Sequence, residues 1–385
     1  MRGMAADIAD EPERMYILME KQVGKRPATI RDIARAGNIS PATVSRVLSD
    51  SRYPVSVAMR EKVERIAKEL NYSPNLLGRM LKRNETNEIG VIVPTIQNPF
   101  YTEIIIGIEA EARKKGYDIF LCNSFRNVDT ERRHIRNLCQ KQVRGIIVSS
   151  VDDDPEVLND FIQMGGTVIL FDQNADFPGC IKIQFDFVEA GRMAVEYLIS
   201  MGHTDIAFLS SPLVLKSRIN NLEGYKQALA AHNIPLNPKN IVISKSEFDI
   251  EGGMYEFENG KELAKQFLSL VPRPSAIFAV NDITAFGVIQ QLALSGVSVP
   301  EDVSVIGFDN IEFSNMVNPP LTTVNQPTYE TGRIAARMLM DAFEEKNSIG
   351  GFTISLAPSV EVRKSVQKIS ADSKRTSSNR KLLED

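Results

Sequence analysis

The 385-residue chain predicts an α/β fold class: an N-terminal all-α helix-turn-helix head, then two lobes of doubly wound parallel sheet. Three observations carry that expectation. Thr29–Leu48 has the apolar spacing of two short helices around a tight turn; from Glu88 to Glu345 short apolar runs alternate with amphipathic stretches; and charge is divided unevenly between the two regions.

In the head, Thr29 is placed to cap a helix whose Ile30, Ile33 and Ala34 share one face, because a hydroxyl at that position accepts from an orphan backbone N–H. Gly37-Asn38 supplies residues tolerant of positive φ, and Ser40-Pro41 restarts a helix as N-cap and first residue. Val44, Val47 and Leu48 then point inward, leaving Pro41, Ala42, Ser45 and Arg46 outward. Small and basic groups at the leading end of a short helix suit the major groove of DNA, where such an end reaches base edges. After Tyr53-Pro54, Ser56 caps a third helix with Val57, Val63, Ile66, Ala67 and Leu70 as its apolar stripe, while Arg60, Lys62, Arg65 and Lys68 stay wet. Ser73-Pro74 then opens a short helical stretch carrying Leu77 and Leu81, too brief to be stable alone.

From Lys25 to Arg83 thirteen basic residues stand against five acidic ones, a net +8 inside a chain of net charge −4. A near-neutral total therefore hides a basic module joined to an acidic one, as expected if only the head meets phosphates.

The β-like runs behind the head are Ile89–Pro94, Tyr117–Cys122, Gly145–Ser149, Thr167–Phe171, Asp205–Ser210, Ile241–Ser244, Ala276–Val280, Val303–Phe308 and Leu321–Asn325. Between and after them lie the helical stretches Glu103–Lys115, Asp129–Gln140, Pro155–Met164, Phe187–Met201, Asn220–His232, Gly260–Leu270, Asp282–Ser295 and Pro327–Glu345. Strands without polar alternation, each followed by a helix, imply parallel sheets covered on both faces. The length exceeds one typical core, so two lobes are expected, with ligands beyond the carboxyl ends of the strands. Phe100, Asp172, Asn281, Asp282 and Asp309 sit at such ends. Carboxylates accept from hydroxyls and an aromatic ring covers an apolar face. Asp and Asn also cap helices; for Asp282 the two readings stay equal, and for Asp309 the ligand is favoured.

The ordered series Thr29-Ile-Arg-Asp-Ile-Ala34, Ser40-Pro-Ala-Thr-Val-Ser-Arg-Val-Leu48, Val55-Ser56, Arg60-Glu-Lys-Val63, Asn71-Tyr-Ser-Pro-Asn75, Ile89-Gly-Val-Ile-Val-Pro94 and Asn98-Pro-Phe100 resembles the lactose-repressor and galactose-repressor (LacI/GalR) family of bacterial transcription regulators, from about Thr29 to about Arg363. The resemblance implies a periplasmic-binding-protein-like core whose chain crosses between lobes near Asp186 and near Asn325-Gln326. Its domains would be an N-terminal extension over 1–28, a DNA-binding head over 29–72, a hinge helix and linker over 73–87, a first lobe over 88–185 and 326–347, a second over 186–325 and 348–363, and a disordered tail over 364–385.

By the same resemblance Thr29, Ser40, Thr43, Ser49, Tyr72 and Asn75 match positions that meet phosphate or sugar, and Pro41, Ala42, Ser45 and Arg46 match those facing base edges. Leu81 matches a leucine that wedges into the minor groove, with Lys82 beside it. Phe100, Asp172, Asn221, Tyr255, Asn281 and Asp309 match effector-lining positions. Where the family usually places an arginine that reaches the effector, this chain has Asn221, with Lys216 and Arg218 upstream; the loss of a guanidinium there favours a neutral, sugar-like ligand. Gly78 stands where the family has alanine, weakening the hinge helix, and Gly37-Asn38 replaces the customary Ala-Gly turn. The implied partners are a double-stranded DNA operator, a small effector and a second copy in a homodimer; effector binding would act by linkage between cleft and operator.

Two alternatives remain open. A protein partner rather than a small effector could control the regulator, with Arg337 at a matching position. A solute-binding protein of the same core would need a signal peptide, and residues 1–28 carry acids and no long apolar run. Enzyme motifs are missing: no phosphate loop, no Gly-x-Gly-x-x-Gly after a strand, no Gly-x-Ser-x-Gly elbow. His134, His203 and His232 are too scattered for a metal, and His203 after Gly202 reads as a turn residue. Asp152-Asp-Asp154 reads as a solvated loop before a helix. Cys122, Cys139 and Cys180 fit reduced thiols of a cytoplasmic protein. Neither a cofactor nor a membrane is expected, and a tail without leucine heptads favours a dimer.

Overall fold

A computed structural model describes residues 28–48, 55–70, 72, 87–172, 177, 179–245, 255–344 and 353–369. The chain divides into two units, Met1–Glu85 and Thr86–Asp385. Residues 1–27 of the expected extension over 1–28, residues 73–86 of the expected hinge and linker over 73–87, with Asn75, Gly78, Leu81 and Lys82 among them, and Ser49 lie outside the described residues.

The head holds α1 (Ile30–Gly37), α2 (Pro41–Leu48) and α3 (Val57–Glu69). Thr29 and Asp32 cap α1 reciprocally: Asp32 N donates to Thr29 Oγ1 at 3.4 Å, and Thr29 N to Asp32 Oδ2 at 2.9 Å. Only Asn38 takes the left-handed turn conformation, at φ 49. Gly37 is helical and buried instead, and a Cβ there would lie 2.9 Å from Ile66 Cδ1, so the glycine answers to close packing. Ser40 Oγ accepts from Thr43 N at 3.0 Å and starts α2. Ile33, Val44, Val47, Val63 and Ile66 form the core. Val57 and Leu70, expected on the buried stripe, are exposed: Val57 opens α3 on the opposite side of the helix from Met59, which packs in its place, and Leu70 falls one residue past the helix.

In the second unit, β1 (Glu88–Val93), β2 (Asp118–Asn123), β3 (Gly145–Val148), β4 (Thr167–Phe171) and β5 (Ile181–Phe185) join β11 (Thr353–Leu356) in a sheet of order β11-β5-β4-β3-β1-β2. The other sheet repeats that order with β6 (Ile206–Ser210), β7 (Ile241–Ile243), β8 (Ala276–Ala279), β9 (Ser304–Asp309), β10 (Thr322–Asn325) and β12 (Ser359–Glu361), as β12-β10-β9-β8-β6-β7. Pairing is parallel except for β12 against β10. The helices are α4 (Pro99–Lys114), α5 (Val128–Gln140), α6 (Glu156–Gln163), α7 (Phe187–Ser200), α8 (Lys216–Ala231), α9 (Tyr255–Leu268), α10 (Asp282–Leu294) and α11 (Thr328–Glu344). They cover both faces of each sheet, which is why β3, β8 and β9 are buried throughout. This is the two-lobed α/β architecture the sequence predicts.

Several details differ. Strand β5 escapes a search for continuous apolar runs because Lys182 and Gln184 alternate with its apolar residues. Thr353–Leu356 lies in the first sheet, in register with Lys182 to Phe185, so the stretch 348–363 does not belong to the second lobe alone. The chain thus passes between sheets a third time, between Leu356 and Ser359. Residues from Lys364 to Ile369 are not a loose tail: Ser365 Oγ donates to Val305 O at 2.6 Å and accepts from Thr322 N at 2.8 Å, and Val366 enters the second core. Ile369 N reaches Met201 O at 2.8 Å. His203 is a buried tie rather than a turn residue, bonded to Ser275 Oγ at 2.9 Å and Gln367 O at 3.1 Å, and burial lowers its pKa. At the α7–α8 crossing the backbones meet so closely that a Cβ on Gly224 would sit 2.1 Å from Val188 O and one on Gly191 2.6 Å from Asn221 O, which sets the height of Asn221 on α8.

Candidate functional site

Parallel strands of both lobes end at a common cleft. Phe100 opens α4, where its N–H is capped by Asn98 Oδ1 at 3.0 Å and its ring meets Tyr101 edge-on at 5.0 Å. Asp172 follows β4 at φ 56, and Asp309 ends β9 at φ 119; both lobes thus hold an aspartate in a backbone conformation that side chains rarely adopt, the kind of strain that clusters at ligand sites. Asn281 is the N-cap of α10, its Oδ1 accepting from Thr284 N at 2.8 Å, which leaves its amide NH₂ as the group to offer a ligand. Phe100, Asp172, Asn221, Asn281 and Asp309 line one cavity of about 480 Å³. Tyr255, the sixth expected contact, lines an adjoining cavity of about 360 Å³ instead.

Asp282, left open as cap or ligand, is neither. It is fully buried: Oδ1 accepts from Thr323 Oγ1 at 2.5 Å, and Oδ2 accepts from Ser314 Oγ at 2.6 Å and Ile311 N at 3.0 Å. It pins the loop that carries Asp309.

The cavity also holds residues the sequence reading missed: Asn98, Tyr101, Arg126, Arg218, Glu256 and Gln326. Two were missed for one reason. Helix α8 starts at Lys216 rather than Asn220, which puts Arg218 and Asn221 on one face, both buried. Helix α9 starts at Tyr255 rather than Gly260, which brings Glu256 into its first turn. The cleft does therefore contain guanidinium groups, contrary to the inference drawn from Asn221, and three carboxylates, Asp172, Glu256 and Asp309, stand against them. Arg126 Nη2 pairs with Glu256 Oε1 at 3.1 Å, Arg218 Nη1 donates to Pro212 O at 2.9 Å, and Gln326 Nε2 donates to Asp309 Oδ1 at 2.8 Å.

Burial pushes the carboxyl of Asp172 up to about 6, although Tyr101 Oη at 3.2 Å, Arg126 and Arg218 pull it down. Burial raises Asp282 to about 6 as well, against its three donors and Arg363. Asp309 lies well above the carboxylate range through burial and the charges of Asp282, Glu256 and Asp172. Groups raised in the fold favour the protonated state, so their contribution is fully present below the unfolded value of 3.8 and is lost as pH rises through about 6. The empty protein is therefore expected to melt at a higher temperature at a pH near 5 than at neutrality; a melting temperature that stays level or rises from pH 5 to neutrality contradicts the assignment.

Asn221 Oδ1 is buried with no hydrogen-bond partner among the described residues, although the great majority of buried polar atoms have one. The cleft thus combines an unsatisfied acceptor, aspartates rich in lone pairs and the ring of Phe100, a surface that offers acceptors to hydrogen-bond donors and an apolar face beside them. Asp152 and Asp154 are held by Arg132; among the described residues no group of three metal-ligating side chains occurs. Arg337 faces Glu111 at 3.6 Å. No described helix is long and apolar enough to cross a membrane.

On the head, Pro41, Ala42 and Arg46 are exposed along α2, and Thr43 and Ser45 are half-buried. Thr29 and Ser40 are exposed with their hydroxyls engaged in capping, and Tyr72 packs partly against the head core.

Residues 29–75 match the family described as bacterial regulatory proteins, lacI family, and residues 195–366 match the periplasmic binding protein-like domain. The HTH-type transcriptional repressor PurR of Photobacterium profundum is 34% identical over 88% of this chain and 99% of that protein. The chain belongs to the LacI family. As a LacI-family member it is a DNA-binding transcriptional repressor with an effector-binding domain. Among solved structures, the lac repressor dimer bound to operator and the anti-inducer ONPF shares 26% identity at a TM-score of 0.75, covering 89% of this chain and 100% of that one. A LacI-family regulator of Enterococcus faecium with bound ribose shares 27% identity at a TM-score of 0.65, over 74% of this chain and 100% of that one.

Proposed function

We propose that this LacI-family repressor binds a palindromic operator as a cytoplasmic homodimer and that a small, neutral, sugar-like effector in the interlobe cleft sets its operator affinity. The observation that carries the effector reading is the buried, unpartnered Oδ1 of Asn221 beside three carboxylates. Hydroxyl donors satisfy that acceptor and the carboxyl oxygens around it. The two guanidiniums are engaged within the protein, Arg126 with Glu256 Oε1 and Arg218 with Pro212 O, so neither argues for an acidic ligand. The ribose-bound neighbour supports a sugar and the operator-bound neighbour a dimer. Calorimetry with ribose, glucose and galactose beside glucuronate and ribose 5-phosphate tests this: the neutral sugars are expected to supply the binder, and a ligand that binds only as carboxylate or phosphate sinks the reading.

At the operator, Pro41, Ala42, Ser45 and Arg46 face base edges, with Thr29, Ser40, Thr43, Ser49, Tyr72 and Asn75 on the backbone and Leu81 and Lys82 in the minor groove. Arg46 is suited to a bidentate contact with a guanine. Arg46→Ala is expected to weaken operator binding by about 1–3 kcal/mol and relax specificity at one base pair; an unchanged affinity in a fluorescence-anisotropy titration would place the recognition face elsewhere.

A further inference from the structure

The cleft is divided. Asn98, Arg126 and Glu256 line both the cavity that holds Phe100, Asp172, Asn221 and Asp309 and the adjoining one that holds Tyr255 and Ile283. These three shared side chains are bonded to one another: Arg126 Nη2 meets Glu256 Oε1 at 3.1 Å, and Asn98 Nδ2 donates to Glu256 Oε2 at 3.1 Å. Both oxygens of this buried carboxylate, carried by the second lobe, are thus held by side chains of the first. A lining common to two cavities, closed on itself by an ion pair and a hydrogen bond, is a partition.

We propose that Glu256, locked by Arg126 and Asn98, is a specificity-determining wall that ends the effector cavity after one sugar ring and excludes two-ring ligands. The proposal rests on the reading of this cleft as a sugar site. Its physical basis is the cost of opening the wall. A ligand that pushes Glu256 aside breaks a largely buried ion pair and the Asn98 bond to the same carboxylate, an unfavourable step unless the ligand replaces the bonds it breaks. Behind the wall Tyr255 offers an aromatic face of the kind that stacks on a sugar ring. It is out of reach while the wall stands, which accounts for its separation from the other five expected contacts.

The full-length chain is titrated by calorimetry with ribose, glucose and galactose and with cellobiose, lactose and maltose. Wild type is expected to bind a single-ring sugar and to bind the two-ring sugars at least about 100-fold more weakly. Glu256→Ala, which removes the wall, is expected to gain at least about tenfold for a two-ring sugar, whereas Glu256→Gln, which keeps the size but loses the ion pair, is expected to gain less than Glu256→Ala. Glu256→Ser serves as the second opening variant if thermal melting shows the alanine variant to be unfolded. The proposal is overturned if wild type prefers a two-ring sugar to its single-ring halves, or if the opened variants bind a single-ring sugar and gain no two-ring one. Absence of sugar binding in every chain overturns both this wall and the sugar-site reading, whereas retained single-ring binding without the gain overturns the wall alone.

Discussion

Asp309→Asn is expected to weaken effector binding by about 10- to 100-fold, the loss of a charged hydrogen-bond acceptor worth roughly 1.5–3 kcal/mol, and to raise the melting temperature of the empty protein at neutral pH. The two effects have one cause. Asp309 is buried, and Asp282, Glu256 and Asp172 all oppose its ionisation; a neutral amide relieves that opposition and still accepts from Gln326 through its oxygen. Burial and its neighbours hold the empty carboxyl towards its neutral form, so the cost of ionising it falls on effector binding, and the fold keeps an unfavourable group where a ligand can use it. Calorimetry and thermal melting on the same sample check the pair of outcomes. A variant that binds as tightly as wild type, or melts well below it, contradicts this account.

Asp282→Ala is expected to lower stability by about 3 kcal/mol, since three buried donors lose their acceptor at roughly 1–3 kcal/mol each and relief of a buried charge offsets part of that. The donors are Ile311 N, Ser314 Oγ and Thr323 Oγ1. Space around this carboxylate is tight: a Cβ on Gly307 would lie 2.3 Å from Asp282 Oδ1. Because Ile311 and Ser314 belong to the loop after Asp309, effector affinity should fall together with stability. That distinguishes Asp282, a positioning residue, from Asp309, where the two properties move apart. Thermal melting and calorimetry on Asp282→Ala decide it; unchanged melting would mean that the network does not hold the loop.

The fold could be read from the sequence because its signals are local. Thr29 and Ser40 cap the helices they were expected to cap, and strands such as Gly145–Val148 are apolar at every position because both sheet faces are covered. Strand β5 and the ordered stretch after Lys364 carry no such signal; their places are fixed by partners far along the chain, such as Thr353 opposite Lys182 and Ser365 beside Val305. The cleft divides the same way. Phe100, Asp172, Asn281 and Asp309 follow strands and were visible as strand ends. Arg218 and Glu256 depend on helices that begin about one turn before the apolar periodicity does, because first turns that face a polar cleft carry polar residues. Arg126 follows β2 with φ 55, a turn residue until the other lobe supplies Glu256.

The central claim is that occupancy of the cleft and operator binding are two readouts of one equilibrium. Linkage requires the effector to change operator affinity by the same factor as the operator changes effector affinity. The most direct test takes a palindromic duplex selected from random sequence and the sugar found by calorimetry, and measures both dissociation constants with and without the other ligand, in wild type and in Asp309→Asn. Equal factors in wild type, with the operator left unresponsive to the same sugar concentration in Asp309→Asn, are the expected result. An operator affinity that ignores a sugar demonstrably bound in the cleft would contradict the account.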